Sequence, residues 1–179
     1  MKLEIPFDKN IYNKQNELNF NSVWKKNLKN NSRRIVWGVL GLILGGFMVF
    51  NKNYVGYLFI GLGIHYFANF IDYRSFYLKS KKRYFGLVNG EIDGYENSRC
   101  DILWEFEDEY FGYSDHRFET KIKWTTFKSY RIIDETLFLD MDSKNGLSYI
   151  LSKSELKESE WSQILDLLSV KIKPVHNNG

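Results

Sequence analysis

Two stretches of the chain carry almost no polar side chains. Ile35 to Phe50 (IVWGVLGLILGGFMVF) has no charged residue, and Tyr54 to Ile71 (YVGYLFIGLGIHYFANFI) has only His65 and Asn69 as strongly polar side chains. Asn51, Lys52 and Asn53 separate them. A buried helical hairpin in a water-soluble domain would show a polar face at helical period, and neither limb has one. Helices of about 16 and 18 residues rise roughly 24 and 27 Å, close to a hydrocarbon core of about 30 Å once flanking side chains snorkel. The pattern therefore predicts a two-helix transmembrane hairpin with spans at 35–50 and 54–71.

Farther along, the period changes from that of helices to that of strands. Asp72 to Val88 continues the second helix beyond the apolar stretch. Asn89-Gly90 and Asp93-Gly94 then punctuate the chain and place a domain boundary there. Ile102, Trp104 and Phe106 alternate with Asp101, Glu105 and Glu107; Phe118, Thr120, Ile122 and Trp124 alternate with Arg117, Glu119, Lys121 and Lys123. Residues 127–133, 136–141 and 147–151 read as further strands. Their joints are the turn sequences Tyr113-Ser114-Asp115-His116, Asp134-Glu135 and Ser143-Lys144-Asn145-Gly146. Joints this short require antiparallel neighbours, hence a meander with one buried and one wet face. Trp161, Ile164, Leu165, Leu168 and Ile172 form one apolar stripe on a last helix. Glu158 and Glu160 lie at its N-terminal end, Lys171 and Lys173 at its C-terminal end, and Pro174 stops it.

The fold class expected is thus membrane-anchored α+β: a two-helix hairpin followed by an antiparallel β-meander closed by a C-terminal amphipathic helix. That order of sheet and helix suggests a pleckstrin-homology-like (PH-like) domain. Three regions follow: a polar N-terminal lead-in at 1–31, the hairpin with basic flanks at 32–88, and the β domain at 89–179. Within the lead-in, Leu3 to Phe7 alternates like a short strand kept at an edge by Pro6, and Asp8 is placed to cap a following helix. Beyond Asp8 the lead-in reads either as a surface-lying helix or as partly disordered chain.

Charge orients the hairpin. Lys25, Lys26, Lys29, Arg33 and Arg34 precede the first limb, Arg74, Lys79, Lys81, Lys82 and Arg83 follow the second, and the connecting turn offers only Lys52. Basic outer flanks place both termini in the cytoplasm. The same residues suit anionic lipid headgroups, which accounts for the basic excess without nucleic acid. Gly38, Gly41 and Gly45 mark a helix-packing face, within one chain or between chains as a homo-oligomer. A single cysteine, Cys100, allows no internal disulfide.

Catalytic chemistry is not legible. Asp115-His116 could be half of an acid–base pair, yet no Ser or Cys nucleophile has a recognisable context, and a polar turn explains the two residues. The acidic residues Glu105, Glu107, Asp108 and Glu109 lack a calcium loop, Cys and His are too few for zinc, and no glycine-rich phosphate loop is present. No enzyme, cofactor or metal is expected. His65 and Asn69, one turn apart, read either as a relay or as a hydrogen-bonded pair. The expected contact surface for a partner is the wet strand face of Arg117, Glu119, Lys121 and Lys123 with Tyr110 and Tyr113 near its edge. Mixed charge supplies orientation there, and tyrosine supplies contact area.

Lys121-Ile122-Lys123-Trp124-Thr125-Thr126-Phe127-Lys128, the strand Leu137-Phe138-Leu139 and the run from Tyr149 to Leu156 resemble the YcxB-like family. Its layout is a polar start, a basic-flanked hairpin and a small cytosolic β domain. Where that family carries a Pro and an aromatic residue, this chain has Ser152 and Leu156. The resemblance implies a protein of the bacterial inner membrane with a PH-like cytosolic domain and no agreed catalytic residues. The first functional expectation, which requires least, is a membrane-tethered module that binds a protein or lipid headgroup. Alternatively, since some relatives look like immunity proteins, the resemblance implies one that neutralises a secreted antibacterial toxin.

Overall fold

The computed structural model describes residues 1–98, 100–142 and 148–172. The expected turn at Ser143 to Gly146, the strand start at Leu147, and Lys173 and Pro174 at the end of the last helix lie outside the described residues. The fold is α+β, with two long helices followed by antiparallel sheets. In order the elements are β1 (Lys2–Ile5), α1 (Lys9–Phe50), α2 (Gly56–Ser98), β2 (Ile102–Phe106), β3 (Tyr110–Ser114), β4 (Glu119–Lys123), β5 (Phe127–Ile133), β6 (Thr136–Met141), β7 (Ser148–Ser152) and α3 (Glu158–Lys171). The chain forms two compact units, one of residues 1–18 with the described residues from 89 onward, the other of residues 19–88.

In the first unit the strands form two sheets, β1-β2-β3-β4 and β5-β6-β7, with every neighbouring pair antiparallel. Period-two burial produces the core: Ile102, Trp104 and Phe106 of β2 are buried while Leu103 and Glu105 are only half-buried. They pack with Leu3, Ile5, Phe111, Trp124, Phe127, Leu137, Leu139 and Leu151. The β5–β6 joint is a two-residue turn in which Asp134 (φ 47°) and Glu135 (φ 57°) both adopt the left-handed conformation that suits a tight hairpin. α3 lays Trp161, Ile164 and Leu168 into the same core, and Ile172 follows them just past the helix end. The Lys157 N–H bonds Glu160 Oε2 at 2.8 Å at the start of α3, and Lys171 Nζ reaches the Asp108 carbonyl at 2.8 Å near its end.

Two local expectations meet a different structure. First, residues 1–31 are not one lead-in: the first 18 belong to the sheet-bearing unit, and α1 is already helical from Lys9. β1 pairs with β2 (Leu3↔Trp104, Ile5↔Ile102), and Asp8 Oδ1 caps α1 by accepting the N–H groups of Asn10 (2.7 Å) and Ile11 (3.0 Å). Second, the Asn89-Gly90 and Asp93-Gly94 pairs do not break the chain, because α2 runs through both to Ser98. Ile92 and Tyr95 bury one side of that stretch, which outweighs the glycine penalty. Gly94 is needed for close approach: a Cβ there would lie 2.5 Å from His116 Nε2.

In the second unit α1 and α2 pack antiparallel. A Cβ at Gly38 would meet Phe67 at 2.9 Å, one at Gly41 would meet Gly63 at 3.1 Å, and one at Gly45 would meet the Gly56 carbonyl at 2.7 Å. As residue numbers rise along one helix, those of the partner fall. Toward the polar ends of this unit the helices are held by rings. Phe20, buried, lies 5.7 Å from Trp24, 5.7 Å from Tyr77 and 5.2 Å from Tyr84, and Trp24 lies 5.3 Å from Tyr77. Where the apolar run begins, buried Asn31 donates to the Phe70 carbonyl at 3.3 Å, and Arg34 to that of Asn69 at 3.4 Å.

Among the described residues only α1 carries a stretch long and apolar enough to cross a membrane. α2 begins at Gly56, so Tyr54 and Val55 stay outside it, and His65, Asn69 and the tyrosines dilute what remains. Length and apolarity thus mark one helix where the sequence pattern predicted two spans.

Candidate functional site

The hairpin of β3 and β4 carries the six residues expected to meet a partner, and its register divides them. Tyr110 pairs with Lys123, Gly112 with Lys121 and Ser114 with Glu119; Phe111 pairs with Ile122 and Tyr113 with Thr120. Side chains alternate between faces, so the first set looks outward and the second toward the core. Glu119, Lys121 and Lys123 are exposed and Tyr110 is half-buried beside them, with Lys121 Nζ 5.3 Å from the Tyr110 ring centroid. Among the described residues neither Lys121 nor Lys123 has a carboxylate within ion-pair distance. Gly112 keeps this face open: a Cβ there would lie 3.0 Å from Glu105 Cβ, and Glu105 is held by Lys2 at 3.1 Å.

Tyr113 and Arg117 are not part of that outer face. Tyr113 is an odd number of residues from Tyr110, so it points inward, with its ring 4.9 Å from Tyr149 and 5.9 Å from Trp104. Its hydroxyl lies 3.1 Å from that of Tyr95, and both reach Asp115 Oδ2, Tyr95 at 3.0 Å and Tyr113 at 3.3 Å. Asp115 Oδ1 accepts the backbone N–H groups of Arg117 (2.8 Å) and Phe118 (3.1 Å). Arg117 binds Glu91 Oε1 at 2.9 Å and approaches Asp115 Oδ2 at 3.6 Å, and the Tyr12 hydroxyl donates to Glu91 Oε2. The first turn of α1, the last turns of α2 and the β3–β4 turn thus share one polar network.

Its electrostatics follow from its burial. The Asp115 side chain is 1% exposed. Burial alone would raise its carboxyl, but the N–H groups of Arg117 and Phe118, the Tyr95 hydroxyl and the Arg117 guanidinium outweigh that and hold it below the usual carboxylate range. Burial likewise pushes the Tyr12, Tyr95 and Tyr113 phenols above theirs.

A second cluster joins α1 to β6, β7 and the turn before α3. Gln15 Nε2 donates to Ser152 Oγ (3.1 Å) and to Glu155, whose Oε2 also accepts the Ser152 N–H at 2.7 Å. Thr136 Oγ1 lies 3.2 Å from Ser152 Oγ. Burial raises the Glu155 carboxyl against those hydrogen bonds. Neither cluster was visible in the sequence, since Tyr12 and Glu91, or Gln15 and Ser152, meet only through the tertiary fold.

Asp115-His116 forms the polar turn that explains it. Asp115 spends Oδ1 on the turn and Oδ2 on the tyrosine hydroxyls, while His116 stacks edge-on against Tyr95 at 4.3 Å with its Nδ1 buried and, among the described residues, without a hydrogen-bond partner. A shallow open cleft of about 290 Å³, lined by Pro6, Phe7, Tyr95, Glu96, Cys100 and Asp101, has an aromatic floor made by the Phe7–Tyr95 stack. Among the described residues no group of three His, Cys, Asp or Glu is placed to hold a metal.

The basic residues expected at a membrane surface all lie on the helices of the second unit. Lys25, Lys26, Lys29, Arg33, Lys79, Lys82 and Arg83 are exposed, and Arg34 and Lys81 are half-buried. Lys81 stands 5.7 Å from the Phe85 ring. No ion pair with a carboxylate engages any of them among the described residues. Gly38, Gly41 and Gly45 face α2 of the same chain. No protein-family model, curated protein or solved structure matches the chain.

Proposed function

We propose that the protein is a non-catalytic module anchored in the bacterial inner membrane, with its sheet-bearing unit in the cytoplasm binding a protein or lipid-headgroup partner. The observation that carries the reading is the outer face of β4: two exposed ammonium groups that, among the described residues, have no carboxylate at ion-pair distance, beside a half-exposed tyrosine ring. Such a face suits an acidic partner surface. A four-plus-three arrangement of antiparallel strands closed by α3 supports the PH-like reading. A binding task is also favoured because the neighbouring Asp115 and His116 are engaged separately, Asp115 with the turn and His116 against the Tyr95 ring.

Anchoring rests on the surface of the second unit. Trp37 (60%), Ile43 (63%), Phe47 (69%), Leu58 (62%) and Ile64 (59%) are exposed on the paired helices. Water does not tolerate so continuous an apolar surface, and lipid does. Basic residues border the apolar stretch of each helix on the side away from the connecting turn, which favours cytoplasmic termini.

The test replaces Lys121 and Lys123 with Glu in the full-length protein. Partner capture from solubilised membranes should be lost while expression, membrane association and tryptophan fluorescence stay as in the wild type. Capture of the same species by the double variant would refute the assignment of this face.

A further inference from the structure

His65 and Asn69 form a polar pair on a side of α2 that is left uncovered among the described residues. Asn69 Nδ2 lies 2.9 Å from the His65 carbonyl oxygen and 2.9 Å from His65 Nε2. A carbonyl oxygen only accepts, so the amide nitrogen faces His65, and Nε2 must accept as well. The proton of the neutral ring is then on Nδ1. Among the described residues, one donor, His65 Nδ1–H, and one acceptor, Asn69 Oδ1, are left over in the pair.

The direction of the pair is fixed by helix geometry. At about 100° per residue, His65 stands roughly 160° around α2 from Gly63 and about 180° from Gly56, the glycines that face α1. His65 is exposed, and so are Leu58, Gly61 and Ala68 on the same side. Nothing lies within 4 Å of a Cβ built at Gly61. Asn69 leans back toward the N-terminal turn of its helix, as helical side chains do, so its free oxygen sits near the level of the imidazole.

On the membrane reading above, on which this inference rests, that donor and acceptor face lipid tails that satisfy neither. We propose that this side of α2 is the contact between two copies of the chain, closed by two reciprocal hydrogen bonds from His65 Nδ1–H to Asn69 Oδ1. Two copies inserted with the same topology are related by a two-fold axis along the membrane normal. Such an axis makes any surface meet itself. A free donor beside a free acceptor is complementary to its own copy, and the small side chains at Gly61 and Ala68 let the backbones approach. This face is distinct from Gly38, Gly41 and Gly45, which are used within the chain.

The experiment places one cysteine at the contact. In full-length protein carrying Cys100→Ser, Ala68→Cys is oxidised in native membranes, and the membranes are washed with alkaline carbonate. A disulfide-linked species of twice the 21.3 kDa chain mass is expected. Ile43→Cys, exposed on the side of α1 opposite the glycines that face α2, should give little of it. Adding His65→Leu or Asn69→Leu removes both reciprocal hydrogen bonds and should weaken association by about 8- to 300-fold, twice the free energy of one interhelical hydrogen bond in a bilayer. Carbonate-resistant protein that gives no dimer at Ala68, equal dimer at Ile43, an adduct of another mass, or a dimer indifferent to both Leu changes would overturn the contact alone. Release of the protein by carbonate would overturn the membrane reading and this one with it.

Discussion

Replacing Asp115 with Ala tests the network that joins the helix ends to the β3–β4 turn. The carboxylate is 1% exposed and receives two backbone N–H groups at 2.8 and 3.1 Å and two tyrosine hydroxyls at 3.0 and 3.3 Å. Hydrogen bonds to a charged group contribute about 1.5–3 kcal/mol each, and those at the turn recover part of that from water. Removing one member of a buried charged cluster costs about 3–5 kcal/mol, and that is the loss expected here. The assay is urea denaturation of the full-length protein in detergent, followed by tryptophan fluorescence, with the slope checked for constancy. Asp115 sits below the ordinary carboxylate range in the folded state. Its contribution is therefore complete above the unfolded value of about 3.9 and fades as pH falls toward the folded one. Glu155, raised by burial, runs the other way, so its protonation on acidification favours the folded state. Asp115→Ala should therefore flatten the acid-side loss of stability. A cost below about 1 kcal/mol, or an unchanged acid limb, would refute the network's role.

Three other outcomes are expected. Gly56→Val should destabilise the helix pair by about 1–3 kcal/mol through overpacking, because a Cβ there lies 2.6 Å from the Gly45 carbonyl, whereas Gly46→Ala, with open space, should be neutral in the same melts. Trp161→Ala should cost about 3–5 kcal/mol by leaving a cavity beside α3, read by the urea midpoint. Leu42→Arg should impair membrane insertion at about 2.5–3.5 kcal/mol, and cytoplasm-only reporters fused at either end should be active in the wild type.

Much of the sheet could be read locally, because alternation and turn chemistry are short-range. Phe127 to Ile133 and Thr136 to Met141 are bounded by a turn whose residues adopt the positive φ the joint requires. β3 escaped notice because Tyr110 to Ser114 (YFGYS) has no polar alternation and its middle residue is glycine. Tyr113 was misplaced for a similar reason: a tyrosine looks the same on either face until the register is known. The helix through Asn89-Gly90 was hidden because turn dipeptides are local signals and the burial of Ile92 and Tyr95 is not. The outer residues Glu119, Lys121 and Lys123 were legible from period two alone, whereas Glu91, Tyr95 and Tyr12 meet through tertiary structure no short window contains.

The pairing of β1 with β2 has a consequence for how the chain is made. Leu3 is translated well before its partner Trp104, which is synthesised only after both long helices. Translation at about 5–20 residues per second leaves that strand single for several seconds. Closure of the four-stranded sheet is therefore a late event, subsequent to synthesis of every apolar helical segment. Meanwhile β1 is a short unpaired strand in a crowded compartment. Its alternating Lys2 and Glu4 place charge on its outward side, which discourages pairing with a stray neighbour until β2 arrives.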